Sequence, residues 1–185
     1  DIDPIDAKTQ LDQAQKRYST LSVKSIRLKA EVDNSVPNFP QNLIEEAPNA
    51  VSTELALYRA RLDDLNTKSA ILEQRRIQKQ NEIQELKIRF ESTSNGLKLI
   101  RREISTLEPL VKSGLAPETR LIALKRDEDS SIGTANQAES GQKRLISGLD
   151  EINEQLKAEQ QAYKTSALTD LSSIEGELAE LNARI

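Results

Sequence analysis

Lys112-Ser113-Gly114-Leu115-Ala116-Pro117-Glu118 interrupts a heptad pattern that otherwise continues on both sides of it. Gly114 adopts positive φ without steric cost and ends a helix readily. Pro117 suits a first helical position, and Glu118 then falls in the first turn, where the helix end is positive. A connection this short between two long helices makes them antiparallel neighbours. The stretch therefore predicts a helical hairpin, with residues 51–112 ascending, 113–116 turning and 117–185 descending.

Outward from the turn, the ascending segment places apolar residues at a and d from Leu55, Tyr58, Leu62 and Leu65 to Ile100, Ile104, Leu107 and Val111. Ser69, Arg76, Lys79 and Thr93 are the polar exceptions. A register held this long is a coiled-coil signal. Ser52 or Thr53 is the expected cap, and Pro109 is expected to kink the last turn. The descending segment runs from Leu121 and Leu124 through Ala135, Ala138, Leu145, Ile152 and Leu156 to Tyr163. It then slips by one residue to Ala167, Leu171, Ile174, Leu178, Leu181 and Ile185, a stutter that alters supercoiling locally. At ~1.5 Å per residue these helices come to about 90 and 100 Å.

The charges offer a separate test of the hairpin. With the turn centred near Leu115, facing residues should have numbers summing to about 230. Arg76 then faces Glu154, Lys79 faces Glu151, and Arg101 and Arg102 face Asp129 and Glu128. Such pairs add little stability individually, but a wrong register would bury unpaired charge, so they specify alignment. Ser92, Ser94 and Gly96 fall opposite Ala138, Ala135 and Gly133, which predicts a close approach there.

Residues 1–33 read as a shorter first helix, capped by Asp3, with Pro4 at its first position and Asp6 in its first turn. Ala7, Leu11, Ala14, Tyr18, Leu21, Leu28 and Val32 form its stripe, with Ser25 as a polar gap. Residues 34–50 contain Pro37, Pro40 and Pro48 and read as a linker without regular structure, pinned by Phe39, Leu43 and Ile44. The first helix is expected near the base, antiparallel to the descending helix and overlapping the start of the ascending one. Leu55, Leu57, Tyr58, Leu62, Ile71, Ala167, Leu168 and Leu171 are the expected receiving surface. The fold class is thus all-α: an elongated antiparallel coiled-coil hairpin of two long helices plus a shorter N-terminal helix.

Composition agrees. Only 36% of the 185 residues are hydrophobic and 3% aromatic, while 30% are charged, which suits a narrow apolar seam better than a compact core. The chain lacks His and Cys, so zinc sites and thiol or imidazole catalysis are excluded. No nucleophile–base set, phosphate loop or metal cluster is visible, so neither an enzyme, a cofactor nor a small-molecule substrate is expected. A net charge of -4 with interleaved signs argues against nucleic acid. No apolar run approaches the ~18 residues of a membrane span. A start at Asp1 without Met leads us to expect an internal fragment.

Several stretches together resemble the helical region of HlyD-type membrane fusion proteins, the periplasmic adaptors of type 1 secretion systems. They are Asp1-Ile2-Asp3-Pro4, the linker with Phe39-Pro40 and Ala47-Pro48, Glu54-Leu55 with Tyr58-Arg59-Ala60-Arg61, Leu107 to Ala116, and Thr119-Arg120-Leu121 with Leu124-Lys125-Arg126. The resemblance covers the whole chain and rests mainly on the linker and the turn. It implies a hairpin inserted between lipoyl-like halves, with a β-barrel and an inner-membrane anchor elsewhere in the protein. It further implies a periplasmic location in a Gram-negative bacterium and a hexameric ring over an ABC transporter contacted through those other regions. A TolC-like outer-membrane channel would meet the hairpin tips.

Drug-efflux relatives carry Arg, Leu and Ser as channel contacts, at positions that align with Thr106, Leu110 and Pro117; only the Leu is kept, which favours the protein-secretion branch. The implied channel-contact set is Leu110, Lys112, Ser113, Gly114, Leu115, Ala116, Glu118 and Arg120. An exposed Leu115 has no core to enter, so a partner surface would suit it. The alternatives are that Leu115 folds back on Val111, that the chain is a generic coiled-coil scaffold or tether, or that it is a drug-efflux adaptor hairpin.

Overall fold

The structure is a computed structural model that describes the backbone of residues 4–185 and side chains from Lys8 onward. The expected cap at Asp3 and the side chains of Asp6 and Ala7 lie outside the described residues. Four helices follow in order: α1 (Pro4–Asp33), α2 (Gln41–Glu46), α3 (Pro48–Lys112) and α4 (Glu118–Asn182). No strand occurs among the described residues. The chain divides into two compact units. One takes the chain up to Ile71 together with Leu156–Ile185, and the other is Leu72–Gln155.

The seam follows the heptads. Every expected a or d position of α3 from Leu55 to Val111 is buried or half-buried. The same holds for α4 from Leu121 to Leu181, including the shifted positions Ala167, Leu171 and Ile174 beyond Tyr163. Ile185, the expected last seam residue, is exposed instead, because it lies past the end of α4.

In the first unit α1 contributes two different faces. Leu28 packs with Ala167, Leu171 and Ile174, flanked by Leu21, Val32 and Leu178, so α1 runs antiparallel to α4. Burying each such Leu or Ile is worth ~1.5–3 kcal/mol. Toward α3 the contact is ionic. Arg27 is 2% exposed and Glu31 1% exposed. Arg27 donates from Nη1 to Glu31 at 2.6 Å and from Nε to Glu54, while Arg61 Nε donates to Glu31 at 3.1 Å. Two guanidinium groups and two carboxylates thus form a neutral set that ties α1 to α3. Burial works against the Arg27 charge, but hydrogen bonds to Glu54 and Glu31 outweigh it and hold the pKa above the usual arginine value. Arg61 also lies 5.5 Å from the centroid of the Tyr163 ring. The Tyr163 phenol is pushed up to about 12, first by burial and then by the negative charge of Glu31.

The receiving surface is narrower than expected. Tyr58, Ala167 and Leu171 are buried and Leu55 and Leu62 half-buried, but Leu57, Ile71 and Leu168 are exposed. The ionic contact explains part of this, since charged groups on α1 meet charged groups on α3 where apolar ones were expected.

The linker also differs from expectation. It holds the short helix α2, whose Leu43 is buried, and Ser19 Oγ donates to Glu46 Oε2 at 2.6 Å. Phe39 is half-buried, Ile44 is exposed, and the Tyr58 hydroxyl donates to the Ser35 carbonyl at 3.0 Å. Helix α3 begins at Pro48 rather than at a Ser52 or Thr53 cap, because Pro48 supplies the favoured first-position residue and Val51 N–H already bonds the Ala47 carbonyl. Past Pro109 the helix continues to Lys112, so that proline does not end it.

In the second unit α3 and α4 pack in the predicted register. A Cβ built on Gly141 would lie 2.9 Å from Leu86 Cδ1, and one on Gly148 would lie 3.1 Å from Lys79 Cε. Arg101 Nε bonds Glu128 Oε1 at 2.8 Å. The numbers in each of these pairs sum to within three of 230. The expected close approach at Gly96 and Gly133 is not there: nothing lies within 4 Å of a Cβ at either position. Gly141 marks the tight contact instead, about two to three helical turns further from the turn.

Candidate functional site

The turn is a helix stop in which the backbone N–H groups of Ser113, Gly114, Leu115 and Ala116 are all bonded. Gly114 has φ +73, and its N–H bonds the Val111 carbonyl at 3.0 Å, while Leu115 N–H bonds the Leu110 carbonyl at 2.8 Å. This is the 5→2 and 6→1 pair of a Schellman motif. The Leu110 carbonyl also accepts from Ala116 N–H at 3.2 Å and from Ser113 Oγ at 3.1 Å. Helix α4 then starts at Glu118, one residue after the expected Pro117, whose carbonyl accepts from Arg120 N–H.

Such a motif commonly packs the residue after the glycine onto the last helical turn. Here it does not. Leu115 is 78% exposed, so it does not fold back on Val111, and Leu110 is 41% exposed. The turn is rigid in its backbone yet presents an apolar side chain to solvent. Lys112, Ser113, Gly114 and Glu118 are exposed beside it, and Ala116 is half-buried. Arg120 is exposed and bonds Glu103 Oε1 at 2.6 Å, which ties the first turn of α4 to α3. Lys125 and Glu108, 3.3 Å apart, make a second cross-helix pair nearby. Exposed pairs like these contribute ~0–1 kcal/mol each, enough to favour one alignment but not to hold the turn together.

The register residues are placed as follows. Glu128 is taken by Arg101, not by the expected Arg102, which is exposed; the register is offset slightly, and a one-residue change swings a helical side chain by about 100°. Arg76 turns along its own helix and pairs with Glu73. Lys79 lays its chain over Gly148, and Glu151, about one turn on, and Glu154, nearly two turns on, are both exposed. The charges that do lock packing, Arg27, Glu31, Glu54 and Arg61, were not singled out from sequence. The signal was faint: Arg27 and Glu31 sit four apart on α1 beside Leu28. Among the described residues no group of three or more acidic side chains could hold a metal ion, and no helix is long and apolar enough to cross a membrane.

The model of the AprE long alpha-helical hairpin family matches residues 7–185. The chain belongs to this family, in agreement with the resemblance carried by the linker and turn. The crystal structure of the soluble domain of LipC, a membrane fusion protein of a type I secretion system, is similar with a TM-score of 0.89. That likeness covers 98% of this chain and 89% of that chain at 17% sequence identity, a likeness of fold. No curated protein sequence matches the chain.

Proposed function

We propose that this hairpin belongs to a membrane fusion protein of a type I secretion system and presents its apical turn to a TolC-like outer-membrane channel. The observation that carries this reading is Leu115, an exposed leucine on a turn whose N–H groups from Ser113 to Ala116 are all bonded. A large apolar side chain held out on a rigid support is suited to anchoring in a partner pocket. Leu110, Lys112, Ser113, Gly114, Ala116, Glu118 and Arg120 surround it as the contact set. Family membership supports the same reading.

In this reading the hairpin lies in the periplasm. Lipoyl-like halves flank it, and further regions anchor the protein in the inner membrane and engage an ABC transporter. Copies assemble into a ring of six. The mechanism is mechanical: several tips presented together convert weak single contacts into avidity, and one continuous passage results. The cross-helix pairs Arg101–Glu128, Arg120–Glu103 and Lys125–Glu108 favour one alignment of the two helices, so that the turn is formed by the same residues.

Residues 1–185 contain no cysteine, so Leu115→Cys gives a single attachment point within the hairpin, and the parent protein serves as the control for thiols elsewhere. A crosslinker placed there in secreting cells should capture the outer-membrane channel. Leu115→Asp should abolish secretion while helicity stays at the parent level. Normal secretion from Leu115→Asp, with no channel captured from position 115, would remove the tip from the proposal.

A further inference from the structure

We infer that a cavity at the C-terminal end of α1 binds a neutral sugar that carries hydroxyl and acetamido groups. The inference goes beyond the adaptor reading and does not depend on it. Helix α1 lies against α3 and α4 and stops at Asp33. The stop is sharp: Asn34 has φ 55, and Ser35 N–H bonds the Ala30 carbonyl at 2.8 Å. The Tyr58 hydroxyl donates to the Ser35 carbonyl, which fixes the stop to α3. Beyond it the furrow between α3 and α4 stays open as a cavity of 370 Å³. Ligand sites span ~300–1,000 Å³, so the space admits a small ligand or one or two units of a longer one. Leu62, Leu65 and Tyr163 are its half-buried walls, and Asn34, Asn66, Ser69, Gln160 and Lys164 are its polar lining.

The lining selects the ligand. It holds no carboxylate, and Lys164 is its one charged group, so it favours neither a cation nor a strong anion. A merely solvated furrow in a chain that is 30% charged would carry charges, as nearby Asp63, Asp64 and Lys68 do. Asn34, Asn66 and Gln160 instead bring amides, which both donate and accept, and Ser69 brings a hydroxyl. Among the described residues, none of these four side chains is committed to a hydrogen bond. Tyr163 supplies a flat apolar surface. Arg61 lies over its ring, 5.5 Å from the centroid, and lines a separate cavity. The amide-lined cavity includes Tyr163 but not Arg61, so it takes the other side of the ring. The charges that act on the phenol, Glu31, Arg61 and Arg27, belong to the α1 contact, which leaves the ring face for the cavity. Hydroxyl and acetamido groups around a rim, with a C–H face that stacks on an aromatic ring, are what a sugar offers such a site. A peptide fits less well: the described residues contain no sheet edge, and the lining has no arginine cluster and no apolar groove at helical spacing.

The test is a titration of the purified full-length protein with tri-N-acetylchitotriose, followed by calorimetry. Saturable binding is expected. Asn66→Leu and Gln160→Leu should each weaken it about tenfold, because each leaves polar groups of the sugar without a partner. Both positions are exposed on helices and gain a better helix former, so loss of folding is not expected. Tyr163→Leu should weaken binding by a similar factor, and Tyr163→Phe, which keeps the ring, by less than about twofold. Maltotriose, which has the hydroxyls but no acetamido group, should bind about tenfold more weakly. Isolated cell-wall glycan and glycolipid micelles separate the two sources of such sugars; retention on either that the trisaccharide competes away and Asn66→Leu abolishes upholds the site. No binding up to about 10 mM trisaccharide, or binding that Asn66→Leu and Gln160→Leu leave unchanged, would overturn the inference. So would tighter binding of a neutral, end-capped tripeptide. The channel is absent from this experiment, so failure here leaves tip docking standing, and loss of channel capture from Leu115→Cys leaves the sugar site standing.

Discussion

Glu31→Gln should loosen α1 from α3 by about 3 kcal/mol, which makes the buried charges the sharpest test of how the first helix is held. Glu31 is 1% exposed and accepts from both Arg27 and Arg61. Neutralising it leaves two guanidinium groups facing one carboxylate, Glu54. Breaking a buried pair by removing one partner costs ~3–5 kcal/mol. The lower end applies here because Glu54 remains and the amide oxygen introduced by the substitution still accepts one bond. Arg27→Met alone should cost a similar amount, because it leaves two carboxylates with Arg61. The combined Arg27→Met/Glu31→Leu variant leaves Glu54 and Arg61 as a balanced pair and fills the space with apolar atoms, so it should return to within about 1 kcal/mol of the parent. The measurement is amide hydrogen exchange, peptide by peptide. Exchange over residues 19–32 should speed up roughly a hundredfold in each single variant and recover in the double, with residues 97–124 unchanged. No acceleration in Glu31→Gln, or a double variant as loose as its worse single parent, would refute the view that charge balance rather than packing governs this contact.

Leu28→Ala should cost about 2–5 kcal/mol, read by urea unfolding, because Leu28 is fully buried at the centre of the α1–α4 cluster. Gly96→Ala should stabilise by up to about 1 kcal/mol in thermal melts, since a Cβ there meets nothing and alanine is the better helix former. Gly114→Ala should cost roughly 1–2 kcal/mol, as the φ of +73 is strained for any residue with a Cβ; amide exchange at 113–118 would report it. Tyr163 gives a pH signature. Its folded pKa of about 12 lies above the ordinary 10.0, so the folded state holds the proton more tightly and the associated stability is complete below pH 10 and lost as pH rises toward 12. Tyrosinate absorbance should show this late titration, and Tyr163→Phe should remove its part of the alkaline loss.

The hairpin was legible because its signals are local. Gly114 and Pro117 act within a few residues, and the heptads of α3 and α4 repeat often enough to average out exceptions such as Arg76 and Thr93. The stutter beyond Tyr163 could be read for the same reason, and Ala167 and Leu171 are buried as it requires. Individual charge pairs were much less legible. Long side chains choose among partners on their own helix and on the facing one, with differences of only ~0.2–1 kcal/mol, so Arg76 goes to Glu73 and Arg101 displaces Arg102 at Glu128. Helix α2 was missed because three prolines in residues 34–50 dominate any local reading, while the contacts that stabilise six helical residues come from α1. As for the candidate site, the turn residues were visible from their spacing, but not whether Leu115 was buried.

Sequence alone therefore determined where the chain reverses and which residues line the seam, because backbone preferences and hydrophobic periodicity are properties of neighbours along the chain. Only the tertiary structure decided that Arg27 and Glu31 are buried, that Leu115 stands in solvent, and that Asn34, Asn66 and Gln160 share one cavity. Burial depends on what approaches from elsewhere in the chain. A helical pattern states which side chains share a face, not what that face will meet.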